Sequence, residues 1–247
     1  MIKDIEYLFK KIFLSEKYLL KKRLNRAIKN NYEKELYIID NLKDENKEAI
    51  DVGVYRGVYT YKLAKNFKHV HSFEPNPMLY TYLKKYLSQV VSNITLYNCA
   101  LSNKNEFTNL KVPLRGKSFF KENIEEIYKL GCATIHKDNN FKDFNTYKVE
   151  TKKLDDVIQN KEISFIKIYV EGHELDVIEG SKKIIKEYKP TLLVEIEEKH
   201  TKKPVLNTIN KIMKYGYKVY FLENDQIKEI KKDNFPNEER NFIFINS

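Results

Sequence analysis

Ala49-Ile50-Asp51-Val52-Gly53-Val54-Tyr55-Arg56-Gly57-Val58-Tyr59-Thr60 runs from a short apolar stretch ending in an acid, through two glycines, into a segment of helical character. Glycines at that point suit a backbone that turns sharply and approaches a ligand a Cβ would obstruct. The helix expected over Val58 to Asn66 directs its first amides into the same turn. A second strand, His69-Val70-His71-Ser72-Phe73-Glu74, ends in another acid 21 positions beyond Gly53. Strand, turn, helix and strand form a βαβ unit, and a carboxylate at that separation suits the two ribose hydroxyls of an adenosine. The loop reads Gly-x-x-x-Gly rather than Gly-x-Gly-x-x-Gly, so it lacks the close approach that a pyrophosphate needs. S-adenosylmethionine (AdoMet), which has no phosphate, therefore fits better than NAD. A tight turn without a ligand would explain the glycines but not the paired acids at the strand ends.

Outward from this unit the chain alternates strands and helices. Strands are expected at Glu48–Gly53, Val70–Glu74, Ile94–Asn98, Ile163–Glu171, Thr191–Ile196, Tyr217–Leu222 and Asn241–Ile245. Helices are expected from Pro75-Asn76-Pro77 to Leu87, from about His173 to Tyr188, and over Pro204–Tyr215. Residues 103–150 break the alternation with short strands at Phe107–Val112 and Tyr147–Thr151 around an insertion containing Gly131-Cys132-Ala133-Thr134-Ile135. The pattern is that of an α/β fold with a doubly wound, mostly parallel sheet, in which ligands bind beyond the carboxyl ends of the strands. Asp51, Glu74, Glu171 and Glu195 fall at such ends.

A chain of 247 residues with 42% hydrophobic content accommodates one sizeable domain and a small appendage. We place the boundary so that residues 1–45 form a basic helical segment and residues 46–247 the catalytic domain. Ile2, Ile5, Phe9, Ile12 and Phe13 make an apolar stripe, read as a helical cap, with a membrane-surface or partner helix as the alternative. Residues 1–30 hold nine basic side chains against three acids, a large share of the net charge of +10. The remaining lysines are interleaved with acids, which argues against a nucleic-acid footprint. Two cysteines without paired spacing fit a reducing compartment. Charges come too early for a signal peptide and no apolar run reaches about 20 residues, so a cytoplasmic protein is expected. His173-Glu174-Leu175-Asp176 lacks the second histidine of a metal helix pair, and His69 with His71 lacks a third ligand, so no metal is expected.

Phe165-Ile166-Lys167-Ile168-Tyr169-Val170-Glu171-Gly172-His173-Glu174-Leu175, followed by Val177-Ile178-Glu179-Gly180, resembles the Lys-Ile-Asp-Val-Glu-Gly-x-Glu block of the FkbM family of AdoMet-dependent O-methyltransferases. Asp51-Val52-Gly53, Phe73-Glu74-Pro75-Asn76-Pro77, Ala100-Leu101-Ser102, Leu154-Asp155-Asp156, Glu195 to His200, Gly216-Tyr217 and Asn241-Phe242-Ile243-Phe244 agree in order, so the resemblance spans residues 48–247. It implies a class I, Rossmann-like methyltransferase domain with an antiparallel last strand, acting on a hydroxyl, commonly of a sugar in a glycan or glycosylated metabolite. It also places Asp51 and Gly53 at the methionine end of AdoMet, Glu74 at the ribose and Ala100-Leu101 near the adenine. Tyr169 departs from the family, standing where the block has aspartate.

We take Asp51, Gly53, Tyr55, Gly57, Tyr59, Thr60, Glu74, Pro75, Asn76, Ala100 and Leu101 as candidate cofactor-binding residues. Tyr169, Glu171, His173, Glu195 and His200 are the catalytic candidates. Alternation along the strand puts Lys167, Tyr169 and Glu171 on one face, and a lysine there needs a counter-charge, which Asp51 or Glu195 could provide. A saccharide or glycolipid acceptor and a homo-oligomer are the expected partners, with weak membrane-surface association through residues 1–30. Two rival readings are a non-catalytic AdoMet-binding scaffold, suggested by Tyr169, and a nucleic-acid methyltransferase. The latter would place an Asn/Asp-Pro-Pro-aromatic motif where this chain has Tyr169-Val170-Glu171-Gly172.

Overall fold

Strand β1 (Asp44–Val52) is exposed where it begins and buried over its last five residues, and everything else is arranged about that buried half. The computed structural model describes residues 15–30, 33–114, 130–136, 142–231, 235–236 and 239–246. The apolar stripe expected over Ile2 to Phe13 lies outside the described residues. After β1 come β2 (Phe67–Phe73), β3 (Ile94–Tyr97), β4 (Ala100–Leu101), β5 (Glu106–Pro113), β6 (Phe144–Lys152), β7 (Ile163–Ile168), β8 (Thr191–Glu195), β9 (Tyr217–Glu223), β10 (Gln226–Glu229) and β11 (Asn241–Asn246). The main sheet has the order β10-β9-β11-β8-β7-β1-β2-β3. β1, β2, β3, β7 and β8 pair in parallel, and β11 runs antiparallel between β8 and β9.

The two faces bury different clusters, as strand alternation requires. Ile50, Val52, Phe73, Ile166, Ile168, Leu192, Val194, Phe242 and Phe244 face one side. There they meet α5 (Leu154–Val157), α6 (Glu174–Glu179), α7 (Lys182–Tyr188) and α9 (Val205–Met213), through Leu154, Val177, Ile178, Ile184, Ile185, Ile209 and Ile212. Ala49, Val70, Phe165, Leu193, Leu222 and Ile243 face the other side. They are covered by Tyr59 and Leu63 of α3 (Val58–Leu63), and by Leu36, Ile38 and Ile39 from a 3-10 turn (Lys34–Tyr37) and α2 (Ile38–Asn41). The N-terminal segment thus closes one face of the sheet. Ahead of it, α1 (Glu16–Lys29) starts at Ser15, which accepts from the Tyr18 amide, and buries Leu20 and Leu24. These leucines pack with Tyr61 and with Leu79 and Leu83 of α4 (Pro77–Tyr86). No helix among the described residues is long and apolar enough to cross a membrane.

The insertion is a separate three-stranded sheet, β4-β6-β5, in which β5 and β6 pair antiparallel over eight residue pairs. Two expectations are corrected. β7 ends at Ile168, so Tyr169 and Glu171 lie beyond it. The helix expected from His173 to Tyr188 is two helices that break at Gly180-Ser181. A Cβ on Gly180 would stand 2.0 Å from the Ser102 carbonyl oxygen, and the second helix receives its own cap from the Asp155 carboxylate, which accepts from the Lys183 and Ile184 amides at 2.9 and 3.1 Å. β10 and the short helix α8 (Glu198–Thr201) carry no clear periodicity and were not expected.

Candidate active site

Gly53 and Gly57 both have positive φ, +82° and +78°. Their missing Cβ atoms make room for neighbouring parts of the protein itself. A Cβ on Gly53 would lie 2.0 Å from the Tyr169 carbonyl oxygen, and one on Gly57 would lie 2.9 Å from Leu87 Cδ2. The first glycine lets the β1 turn lie against the end of β7, and the second lets α3 start against α4's C-terminal leucines. Tyr55 between them is left-handed as well, at φ 50°. That conformation turns its amide to Glu74, and Tyr55 N donates to Oε2 while Asn76 N donates to Oε1, each at 2.9 Å. Burial pushes the Glu74 carboxyl up to about 7, against the pull of the two amides and of Lys167. Asn76 accepts from the Met78 amide, capping α4 ahead of Pro77, and its buried Nδ2 has no hydrogen-bond partner. Asn98 braces the turn by donating to the carbonyls of Glu74 and Pro75. Ala100 and Leu101 are buried as β4, paired with β6.

Where the apolar layer under α2 and α3 ends, a polar layer crosses the same face. Asp51 is fully buried; Thr60 donates to its Oδ2 at 2.6 Å and lies 3.0 Å from the Ser72 hydroxyl. Lys167 Nζ stands 3.0 Å from Asp51 Oδ1, without hydrogen-bond alignment, and donates to the carbonyls of Val52 and Gly53. Asp51, not Glu195, is therefore the counter-charge. Burying either charge alone would be costly, and together they are tolerated. The ammonium also sits over the rings of Tyr169 and Tyr59, 4.5 and 5.1 Å from the centroids. The two phenolic oxygens are 3.0 Å apart. Burial, together with nearby carboxylates, drives both phenols well above 10.

Beyond β7 the chain bends at Glu171, left-handed at φ 54°, and at Gly172, whose Cβ would meet His200 at 3.0 Å. His200 Nε2 lies 2.7 Å from Glu171 Oε2. Burial disfavours charge on this imidazole, but the bond to Glu171 outweighs it and raises the pKa. Glu195, at the end of β8, is pushed up to about 7 by burial and by Glu171 and Glu197. Glu174 is pushed to about 7 by burial and accepts from the Gly172 amide. His173 has different partners, Ser102 at 3.0 Å and Asp176 at 3.3 Å, and burial lowers its pKa. Tyr59, Tyr169, Asp51, Thr60 and Glu195 thus share one layer, Glu171 and His200 form a pair beside it, and His173 is engaged by Ser102 and Asp176.

Two contributors went unrecognised in the sequence. Thr134 pairs with Lys111 of β5 and donates to the Glu171 carbonyl at 2.9 Å, while Gly131 packs against the Tyr55 ring, so the insertion touches both the turn after β1 and the bend after β7. Glu35, in the 3-10 turn, is buried with Oε1 unpartnered, and burial raises its pKa. Its setting, Glu33-Lys34-Glu35-Leu36, reads as a solvated charged stretch and holds no signal of this burial.

The family model described as Methyltransferase FkbM domain matches residues 51–219. The chain belongs to the FkbM methyltransferase family. It matches no curated protein sequence. Among solved structures it is similar to a methyltransferase FkbM from Methylobacillus flagellatus KT, at 18% identity and TM-score 0.49, over 81% of this chain and 44% of that one. The chain therefore spans less than half the length of that relative. A Streptococcus mutans methyltransferase in complex with SAH is 15% identical, with TM-score 0.47, over 85% of this chain and 92% of that one. An rRNA methylase from Streptococcus thermophilus is 13% identical, with TM-score 0.46, over 85% and 90%. The cofactor of this methyltransferase is AdoMet, and the residues present suit it. Each Glu74 oxygen takes one amide and keeps a lone pair for a ribose hydroxyl, and Asn76 Nδ2 is a buried donor still to be matched.

Proposed function

We propose that this methyltransferase acts on a hydroxyl of a sugar, in a glycan or a glycosylated metabolite. The observation that carries the reading is the row of Tyr59, Tyr169 and Glu195 at the carboxyl edge of the sheet, directly beside the Gly53 turn. AdoMet supplies an electrophilic methyl carbon on a sulfonium. What remains for the chain is to orient the acceptor hydroxyl and to receive its proton. Both phenols stay protonated at neutral pH and therefore orient or relay. Glu195, near 7, is partly ionised there and accepts the proton, while Glu171 is already engaged by His200. Alignment of donor and acceptor provides much of the rate, and a base adds roughly 10²–10⁴-fold.

The test is methyl transfer from labelled AdoMet to a panel of free, nucleotide-linked and lipid-linked sugars. Transfer to at least one sugar hydroxyl, diminished in Glu195→Gln, is expected. AdoMet binding without transfer to any of them would favour the scaffold reading, and transfer to RNA would favour the nucleic-acid one.

A further inference from the structure

Around Tyr169 the protein has more buried acceptors than donors. Glu35 is 1% exposed and hydrogen-bonds with the Asn241 side chain, yet its Oε1 has no partner. Asn241 Oδ1 and Glu33 Oε2 are likewise buried without partners. Strand register brings these groups together: Asn241 of β11 pairs with Glu195 of β8, and Val194, just before Glu195, pairs with Ile168, just before Tyr169. Leu36, next to Glu35, packs in the cluster that contains Tyr59 and Tyr169. The bases near this layer already have acids. Lys34 is bound to Glu239 and the Leu222 carbonyl, Lys167 to Asp51, Arg240 to Glu197 and His200 to Glu171. Among the described residues Glu35 and Glu195 have no ion pair of their own.

A hydroxyl brings one donor together with its own lone pairs, whereas an ammonium brings three donors, no acceptor and the missing positive charge. We propose that Glu35, from outside the family domain, forms with Glu195 and Asn241 a subsite for an ammonium group, so that the acceptor is an amino sugar with its amine free. The inference rests on the saccharide reading and narrows it. An ammonium offsets the cost that burial places on an ionised Glu35 carboxylate.

Calorimetric titration of the S-adenosylhomocysteine-loaded protein tests it, using gluco, galacto and manno amino sugars, each beside its N-acetyl and 2-hydroxy counterparts. A free amine is expected to improve binding by roughly 10–100-fold, as a charge-assisted contact does. The preference is expected to vanish in Glu35→Gln, and independently to weaken in Glu195→Gln. Equal binding of amine and N-acetyl forms, no binding of any amine, or a preference unchanged in a folded Glu35→Gln variant would overturn the ammonium subsite. Transfer to neutral sugars with no preference would overturn it while leaving sugar methylation standing. Amine binding without transfer would keep the subsite and remove the sugar-hydroxyl reading.

Discussion

The hydroxyls of Tyr59 and Tyr169 lie 3.0 Å apart, with their rings edge to face at 5.3 Å and the Lys167 ammonium over both. One phenol comes from α3, after the Gly53–Gly57 turn, and the other from just beyond β7, where the resembled family block has aspartate. The pair ties α3 to the segment that follows β7.

Tyr169→Phe keeps the ring over Lys167 and deletes the bond to Tyr59. The variant is expected to lose roughly 1–3 kcal/mol of stability, because the Tyr59 hydroxyl is left buried and unpaired. AdoMet affinity is expected to hold while kcat falls. Calorimetry and turnover on the same preparation separate the two effects, and unchanged kcat would reduce Tyr169 to packing.

Gly53→Ala and Gly57→Ala carry a similar left-handed penalty, roughly 1–2 kcal/mol. They differ in what the new methyl meets. At Gly53 it meets the Tyr169 backbone carbonyl at 2.0 Å, and at Gly57 the movable end of Leu87 at 2.9 Å. Thermal unfolding is expected to show much the larger loss for Gly53→Ala, and similar Tm values in the two variants would contradict the geometry.

The Glu74 carboxyl, raised to about 7 by burial, is favoured in its protonated form by folding. Its stabilising effect is present at low pH and is lost as pH rises from the ordinary carboxylate range through about 7. Ribose hydroxyls donate to the carboxylate, so AdoMet binding works the other way and releases a proton. Affinity is expected to strengthen between pH 6 and 8, with proton release seen in buffers of different ionisation enthalpy. Glu74→Gln is expected to abolish that release, and Glu74→Ala to weaken binding by roughly 1.5–3 kcal/mol. A flat pH profile in the parent would refute the assignment.

Much of this molecule was legible in order along the chain. The alternation around Asp51, Gly53 and Glu74 specified a parallel α/β sheet, because burial on both faces leaves short apolar strand runs that alternate with helices. Lys167 on a central strand announced a counter-charge for the same reason: a buried ammonium needs one. What the sequence left open was which partner each group would take. Asp51 and Glu195 were equal candidates for Lys167 until the β1–β7 register set Asp51 opposite it. The glycines signalled close approach, but only packing showed that the approaching groups are the Tyr169 carbonyl and Leu87. Glu35 is the extreme case. A charged residue in a charged stretch has no local mark of burial, and the docking of Leu36, Ile38 and Ile39 on the sheet brings its carboxylate into the polar layer. Local periodicity reports which side chains avoid water, whereas the pairing of buried polar groups depends on contacts between elements far apart in the chain, and these exist only once the sheet has formed.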